Sequence, residues 1–209
     1  MVPIFPLAMA VTNFGESTVV LSTAVAVSGW FWLSHQRQLA VLWLLAVGGC
    51  AATMVVLKLT FLTCGHLVLG GTVNTPSGHS SMAALFYGAA ALTVARLSPP
   101  VAKHRPAMMA AAFVFALLIG ISRVIVHAHS PQEVVVGLLV GFAWLVCFAI
   151  LLRRVRPSVE MPPARVLVVL GLIYAGLLTL TMVGEHMTVE GVLAHIAHLL
   201  HTRWDVCAG

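Results

Sequence analysis

The stretch "SRVIVHAHSPQEVVVGLLVGFAWLVCFAILL", residues 122–152, decides the fold class of this chain. After Glu133 it carries no charged side chain and is almost wholly apolar. A hydrocarbon core about 30 Å thick is crossed by roughly 20 apolar residues in a helix. Residues 133–152 are therefore predicted to form a transmembrane helix, with a polar cluster of Arg, His and Glu at its start.

Five other segments have the same apolar character, and the composition agrees with them. Only 8% of the 209 residues are charged and 60% are hydrophobic, whereas a soluble domain has about 25% charged residues. Unbroken apolar runs fit helices better than the alternating strands of a membrane barrel. We expect an all-α protein, a polytopic membrane bundle of six transmembrane helices. The other five predicted segments are 17–34, 39–61, 79–95, 107–126 and 165–183.

The connections between these segments are short, so residues 1–209 are predicted to form a single integral membrane domain. No Lys or Arg precedes Arg37, so the first segment lacks the basic start of a cleavable signal peptide. Beyond the sixth segment, residues 185–204 carry apolar side chains at helical spacing among polar ones. This pattern predicts a short amphipathic helix at the C-terminus.

Three of the histidines on that amphipathic helix recur at i, i+3 and i+6. We interpret them as part of a solvated helix face. A metal site is the alternative, although this spacing suits one face only loosely, and we expect no metal. The three residues are His195, His198 and His201.

The basic residues are distributed unevenly between the two ends of the predicted helices. Eight of the eleven Lys and Arg residues fall in the connections after the first, third and fifth segments. By the positive-inside rule these connections face the cytoplasm. The other connections then face outward, which in a bacterial inner membrane is the periplasm. The net charge of +5 follows from this topology and does not indicate a nucleic-acid partner. The eight residues are Arg37, Arg96, Lys103, Arg105, Arg153, Arg154, Arg156 and Arg165.

Two polar clusters fall on the outward side, one in each outward connection. The first is "NTPSGHSSM" (74–82), and the second is "SRVIVHAHSPQE" (122–133). Because both lie at the same end of the predicted bundle, we expect them to form a single site.

The first cluster precedes a helix and suits an anion. Thr75 or Ser77 is able to cap the helix, and Gly78 lets the backbone approach a ligand closely. The N–H groups and the dipole of a helix N-terminus attract negative charge. For a Ser and a Gly before a helix, a plain helix cap is by itself the more common explanation. His79 favours a functional role, because ionisable residues at membrane depth are usually functional.

The second cluster combines a cation with a histidine and an acid. Arg123 offers a planar fork that matches phosphate. Glu133 follows His129 by four residues and is able to set the tautomer of its ring, as an acid orients a nucleophile. Ser130 and Glu133 also form a capping box, with Pro at the first helical position, and the two interpretations are compatible. His127 competes with His129 as the nucleophile, and spacing alone does not decide between them.

These motifs resemble those of a known family. "PSGH" at 76–79, followed at 122–133 by Ser-Arg, five residues, His, three residues and an acid, is similar to the type-2 phosphatidic acid phosphatase superfamily. Its members include lipid phosphate phosphatases, glucose-6-phosphatase and vanadium haloperoxidases. The family also implies a six-helix plan with an outward-facing site.

The resemblance implies a role for each matching residue. His129 attacks phosphorus and becomes a phosphohistidine. Glu133 orients and charges it, where the family usually has Asp. His79 protonates the leaving oxygen and then activates water. No metal or other cofactor is implied. The residues implied to hold the phosphoryl oxygens are Lys58, Ser77, Gly78 and Arg123.

The family's first motif, which is Lys, six residues and Arg-Pro, is only half present. Lys58 fits it, but Gly65 and His66 stand where the family has Arg-Pro. The missing Arg removes one phosphate ligand, for which His66 is a partial substitute. Lys58 also has a second interpretation, in which its side chain snorkels toward the headgroups.

We therefore expect an integral membrane phosphatase that hydrolyses a lipid-linked phosphate monoester or pyrophosphate at the periplasmic face of the cell inner membrane. The expected partners are that lipid phosphate substrate and the membrane lipids. One alternative is a phosphotransferase of the same family, and another is a catalytically degenerate lipid-binding or transport protein. The altered first motif favours the degenerate protein, whereas the intact His79, Arg123 and His129 favour an enzyme.

The four cysteines lack the spacing of a metal site. Cys50 and Cys147 lie within predicted helices, where packing explains them. Cys64 and Cys207 fall on the outward side, where oxidation is possible. A disulfide between them would tie the C-terminal tail to the site.

Overall fold

The computed structural model describes residues 4–64, 75–156 and 161–183, together with Ile196 and Leu199. All regular structure in these residues is helical, so the all-α prediction is confirmed. The helices in chain order are α1 (Ile4–Asn13), α2 (Ser17–Leu33), α3 (Arg37–Cys64), α4 (Gly78–Leu97), a 3₁₀ helix (Pro99–His104), α5 (Arg105–Ile125), α6 (Pro131–Leu152) and α7 (Pro163–Val183).

The six predicted transmembrane segments correspond to α2 through α7. Five helical stretches in the described part of the chain are long and apolar enough to cross a membrane, and α7 adds the shorter apolar range Ala164–Thr179. The sequence did not predict α1, which joins α2 in one stretch, Ile4–Leu33. The predicted amphipathic helix at 185–204, which includes His195, His198 and His201, lies outside the described residues apart from Ile196 and Leu199.

Helix α4 lies at the centre of the bundle, and 83% of its apolar membrane-spanning stretch is buried. Helix α6 packs on it through two glycines four residues apart. A Cβ at Gly137 would lie 2.3 Å from the Ser77 carbonyl oxygen, and a Cβ at Gly141 would lie 2.3 Å from the Ser81 carbonyl oxygen. Glycines at this spacing let two helix backbones approach closely in a membrane. The first turns of α4 and α6 are thereby held against each other.

A group of large aromatic side chains joins α3, α4 and α6 deeper in the bundle. Trp43 is fully buried and meets Phe86 and Phe148 edge-on, with ring centroids 5.6 and 5.9 Å apart. Its indole N–H donates to the Thr93 hydroxyl at 3.1 Å. Edge-to-face rings and a satisfied indole N–H are the favourable arrangement for buried aromatic residues. This packing holds the helices that carry the site.

Successive antiparallel helices place one set of helix ends together. The starts of α4 and α6 and the ends of α3 and α5 lie at one end of the bundle, because consecutive spanning helices alternate in direction. The two polar clusters of the sequence follow or precede these ends, at Gly78 and between Ile125 and Pro131.

The cysteines differ in oxidation state. Cys64, the last residue of α3, is disulfide-bonded, whereas Cys50 and Cys147 are free thiols. Cys207 lies outside the described residues, so its pairing with Cys64 stays a prediction.

Candidate active site

The centre of the candidate site is a buried pair formed by a histidine and a glutamate. His129 Nδ1 lies 3.0 Å from Glu133 Oε2. The residues are only 8% and 5% exposed, respectively. The carboxylate therefore contacts one ring nitrogen in a place shielded from water. A carboxylate at Nδ1 leaves Nε2 as the nitrogen that is able to attack an electrophile.

Glu133 also forms the predicted capping box at the start of α6. Its Oε2 accepts the Ser130 N–H at 3.0 Å, and its own N–H donates to Ser130 Oγ at 3.3 Å. The capping box is therefore confirmed. Because the Glu133 side chain bends back toward its own helix start, the same carboxylate reaches His129. The capping box and the contact with His129 thus occur together, and the role of Glu133 in orienting a nucleophile stays a prediction.

The same glutamate ties the two polar clusters together. Glu133 Oε1 accepts the Thr75 N–H at 3.1 Å, and the Glu133 carbonyl oxygen accepts the Ser77 N–H at 3.0 Å. These bonds link the loop before α4 to the first turn of α6. The structure thus brings the two clusters to one place, as their shared side of the membrane predicted.

A turn at the end of α5 distinguishes His127 from His129. His127 has a positive φ of 56°, its N–H donates to the Val124 carbonyl, and the Ala128 N–H donates to the Arg123 carbonyl at 3.0 Å. This pattern is a Schellman motif, in which the residue after the helix cap takes the left-handed conformation. His127 is the exposed turn residue, and the reversal it makes carries His129 back into the bundle.

Arg123 lies in the last turn of α5 and is half-buried. Its Nη1 lies 3.4 Å from the hydroxyl oxygen of Thr12, and Thr12 is buried at the end of α1. One contact of the guanidinium therefore comes from the N-terminal helix. A guanidinium held in one place offers paired donors to a phosphate.

His79 is the second residue of α4 and is half-buried, with its Nδ1 inside the protein. The backbone of His79 packs against Gly15, where an added Cβ would lie 3.1 Å from the His79 carbonyl oxygen and 3.3 Å from the His79 Cβ. Gly15 belongs to the turn between α1 and α2. Only a residue without a side chain allows that turn to come so close.

Ser77 is the N-cap of α4, as predicted, and is fully buried. Its Oγ accepts the Ser80 N–H at 3.4 Å and the Ser80 hydroxyl at 3.0 Å. The structure shows this capping role; a contact of Ser77 with phosphate stays a prediction. Gly78 follows as the first helical residue, where its N–H belongs to the positive end of the α4 dipole.

Lys58 lies inside the bundle beside the start of α4. It is 6% exposed, and its Nζ would lie 3.8 Å from a Cβ placed on Gly78. A buried ammonium group next to a helix N-terminus is not directed along the lipid face, as a snorkelling lysine would be. Gly65 and His66, the other residues of the altered first motif, lie outside the described residues.

The turn between α1 and α2, "TNFGES" at 12–17, is a part of the site that the sequence analysis missed. Besides Thr12 and Gly15, it brings Ser17 Oγ within 3.4 Å of a Cβ built on Gly78. The signal was present: a run of polar residues and a Gly stands between apolar stretches. It precedes the first predicted helix, on the same outward side as the two clusters.

Two tyrosines hold this turn in the bundle. The hydroxyl groups of Tyr87 on α4 and Tyr174 on α7 each lie 2.7 Å from the Phe14 carbonyl oxygen. The Phe14 ring stacks on Tyr174 and meets Phe115 edge-on. The turn is therefore a packed element joined to α4, α5 and α7.

The arrangement combines the groups that phosphoryl transfer needs. It offers a histidine whose ring is oriented by a carboxylate, a second histidine at a helix start, and two cations from separate helices. Phosphoryl transfer depends mainly on positioning and on positive charge near the phosphoryl oxygens. Within the described ranges, no three His, Cys, Asp or Glu side chains are grouped closely enough to hold a metal ion.

Comparison with known proteins gave two matches. Residues 58–157 match the model of the PAP2 superfamily. The chain is 35% identical to an "Uncharacterized 22.5 kDa protein in cps region" of Klebsiella pneumoniae over 146 aligned residues. The aligned stretch covers 69% of this chain and 68% of that protein. No solved structure matches the chain significantly. The range matched by the family model begins at Lys58 and includes His79, Arg123, His129 and Glu133.

Proposed function

The chain belongs to the PAP2 superfamily, and we propose that it is an integral membrane phosphatase that hydrolyses a lipid-linked phosphate through a phosphohistidine. The observation that carries the proposal is the buried contact of 3.0 Å between His129 Nδ1 and Glu133 Oε2. A carboxylate in this position keeps the proton on Nδ1 and the lone pair on Nε2, which makes the ring a nucleophile.

In the first step, Nε2 of His129 attacks the phosphorus atom of the substrate. A P–N bond forms as the P–O bond to the lipid breaks. His79, entering protonated, gives its proton to the leaving oxygen, so the lipid departs as an alcohol or, from a pyrophosphate, as the monophosphate. Glu133 stabilises the positive charge that develops on the His129 ring.

In the second step, His79 takes a proton from a water molecule, and that water attacks the phosphorus atom. The P–N bond breaks, inorganic phosphate leaves, and His129 regains its lone pair. His79 is then protonated again and is ready for another cycle. The two histidines thus have separate roles, one as nucleophile and one as acid and base.

Lys58 and Arg123 supply the positive charge for the phosphoryl oxygens in this proposal. They come from two separate helices, α3 and α5. The N–H groups of the first turn of α4 add the positive end of a helix dipole. Charge that is fixed before the substrate arrives stabilises the transition state without further reorganisation.

The proposed location of this site is the periplasmic face of a bacterial inner membrane. Eight of the eleven Lys and Arg residues belong to the connections at the other end of the bundle. The disulfide at Cys64, on the same end as the site, suits an oxidising compartment. Candidate substrates are a polyprenyl phosphate or pyrophosphate, phosphatidylglycerophosphate, phosphatidic acid and a lipid A phosphate.

Trapping a phosphoenzyme tests the proposed chemistry. Purified protein in detergent is mixed with each ³²P-labelled candidate lipid phosphate in turn and quenched in alkali, because phosphohistidine is stable in base. Wild type should carry label and release phosphate, and His129→Ala should do neither. A phosphotransferase would give a different result when lipid alcohols are added. The protein would become labelled without releasing inorganic phosphate, and the labelled phosphoryl group would then appear on the added alcohols. A wild-type protein that binds one or more of these lipids but is labelled by none of them would support the degenerate lipid-binding protein.

Cysteine labelling tests the proposed face. In a background without Cys50 and Cys147, a cysteine at Lys103 should react with an impermeant maleimide only when the cytoplasmic side is exposed. A cysteine at Gln132, which is exposed beside the site, should react from the outside of intact cells. The reverse pattern would place the site in the cytoplasm.

A further inference from the structure

A second feature of the bundle lies at the end opposite to the candidate active site. A cavity of about 360 Å³ opens there between α4, the 3₁₀ helix, α5 and α6. Its walls are apolar, and three arginines surround it. Among the residues that line it are Leu92, Ala149 and Leu152 with Arg96, Arg105 and Arg153.

The three arginines reach the cavity from three different elements. Arg96 lies in the last turn of α4, Arg105 is the first residue of α5, and Arg153 follows the last residue of α6. Arg96 is held in place, because its Nη2 donates to the Val155 carbonyl oxygen at 2.9 Å. The positive end of the α5 dipole also begins at Arg105. Cations that are far apart in the chain thus converge on one cavity.

The general excess of positive charge on this face does not explain that convergence. The topology rule requires basic residues near these helix ends, but not around a cavity. Lys103, Arg154 and Arg156 belong to the same connections and are exposed, yet they do not line the cavity. Arg96, Arg105 and Arg153 are exposed as well, so only their position around the cavity distinguishes them from these neighbours.

The chemistry of the cavity matches one class of ligand. Guanidinium groups pair with the oxygens of a phosphate, and apolar walls accept glycerol and the first methylenes of an acyl chain. Basic pockets between transmembrane helices on the cytoplasmic side are known sites for anionic headgroups. We propose that this cavity binds the phosphodiester headgroup of an anionic membrane phospholipid, a site separate from the one that performs the chemistry.

Lipid retention by native mass spectrometry tests this proposal. Purified protein is titrated with phosphatidylglycerol or with phosphatidylcholine, which differ in net charge, and the dissociation constant of the first bound lipid is compared. Two double variants remove the same charge from the same face: Arg105→Gln with Arg153→Gln removes cavity residues, and Lys103→Gln with Arg154→Gln removes neighbours. Each guanidinium–phosphate pair lost from the cavity is expected to weaken binding by about tenfold or more, the worth of a charge-assisted hydrogen bond, whereas a neighbour outside the cavity makes no such pair.

The wild type and the neighbour variant should both prefer phosphatidylglycerol, and the cavity variant should lose at least about tenfold in affinity for it. Equal losses in the two double variants would overturn the proposal in favour of diffuse attraction. A wild type that shows no preference for the anionic lipid would also overturn the proposal. That outcome does not depend on whether the variants fold. A third arm adds millimolar inorganic phosphate. Displacement of the lipid by phosphate at that concentration would show that the cavity takes the free ion instead.

Discussion

His129 Nδ1 lies 3.0 Å from Glu133 Oε2, and the same carboxylate oxygen accepts the Ser130 N–H at 3.0 Å. The other oxygen accepts the Thr75 N–H at 3.1 Å. One side chain therefore orients the histidine, caps α6 and holds the loop before α4. A change at Glu133 is expected to act on the chemistry and on local folding together.

Replacing Glu133 by Gln should lower kcat by at least about 100-fold, because an acid that orients a nucleophilic system contributes up to about 10⁴. The amide keeps the size of the side chain but loses its charge and one acceptor. The loss should appear in kcat for a lipid monophosphate and in the yield of phosphoenzyme. Gln132→Ala, at the exposed neighbour, is the control and should change neither. Wild-type phosphoenzyme yield in Glu133→Gln would remove Glu133 from the mechanism.

Replacing His127 by Gly should leave turnover unchanged and raise thermal stability. His127 has φ 56° in the turn after α5, a conformation that costs a residue with a Cβ about 1 kcal/mol and costs glycine nothing comparable. Turnover and the apparent Tm are measured side by side. Inactivity of a folded His127→Gly would mean that His127, rather than His129, is the nucleophile.

Replacing Thr12 by Val should reduce kcat/KM by about fivefold, the worth of one ordinary hydrogen bond of about 1 kcal/mol. Thr12 contacts Arg123 at 3.4 Å and is interpreted as a positioning residue. Thr12→Ser keeps the hydroxyl and should restore most of the activity, and Thr18→Val changes an exposed threonine nearby as the matched control. A serine variant as impaired as the valine variant would show that packing, rather than the hydrogen bond, is what matters.

Replacing Gly137 by Ala should destabilise the protein and lower activity together. The new Cβ would lie 2.3 Å from the Ser77 carbonyl oxygen, so α6 must move away from the start of α4, and overpacking of this kind costs about 1–3 kcal/mol. The control is Gly48→Ala in α3, where an added Cβ meets nothing within 4 Å. The measurement is the apparent Tm in detergent together with turnover. A Gly137→Ala variant as stable as the control would mean that the close contact of α4 and α6 is dispensable.

Replacing Lys58 by Ala should slow turnover by at least roughly tenfold, since a charge-assisted contact contributes about 1.5–3 kcal/mol. With Gly65 in place of the family's Arg, the site is one cation short. We therefore expect a preference for a lipid monophosphate over its pyrophosphate, and Gly65→Arg should shift that preference toward the pyrophosphate. The test compares kcat/KM for both substrates in both proteins. A wild type that prefers the pyrophosphate, unchanged by Gly65→Arg, would show that the missing Arg does not set the substrate.

Local features of this protein were readable from the sequence. The apolar runs that became α2 through α7 follow from the cost of unpaired backbone groups in lipid, which every helix satisfies within itself. The capping box at Ser130 and Glu133 joins residues three apart and likewise depends only on neighbours. Both polar clusters were assigned to one end of the bundle, because the direction of each helix follows from its order in the chain.

The contacts between distant segments were decided only by the tertiary structure. The sequence left His127 and His129 open, and the turn after α5 separates them by placing one outside and the other against Glu133. It did not predict α1 or the turn that brings Thr12 to Arg123, 111 residues away. Nor did it show that Gly137 and Gly141 face α4, or that three arginines converge on one cavity. The spacing of residues along a helix determines which of them share a face of that helix. The neighbouring helix that each face contacts is determined only when all the helices pack together.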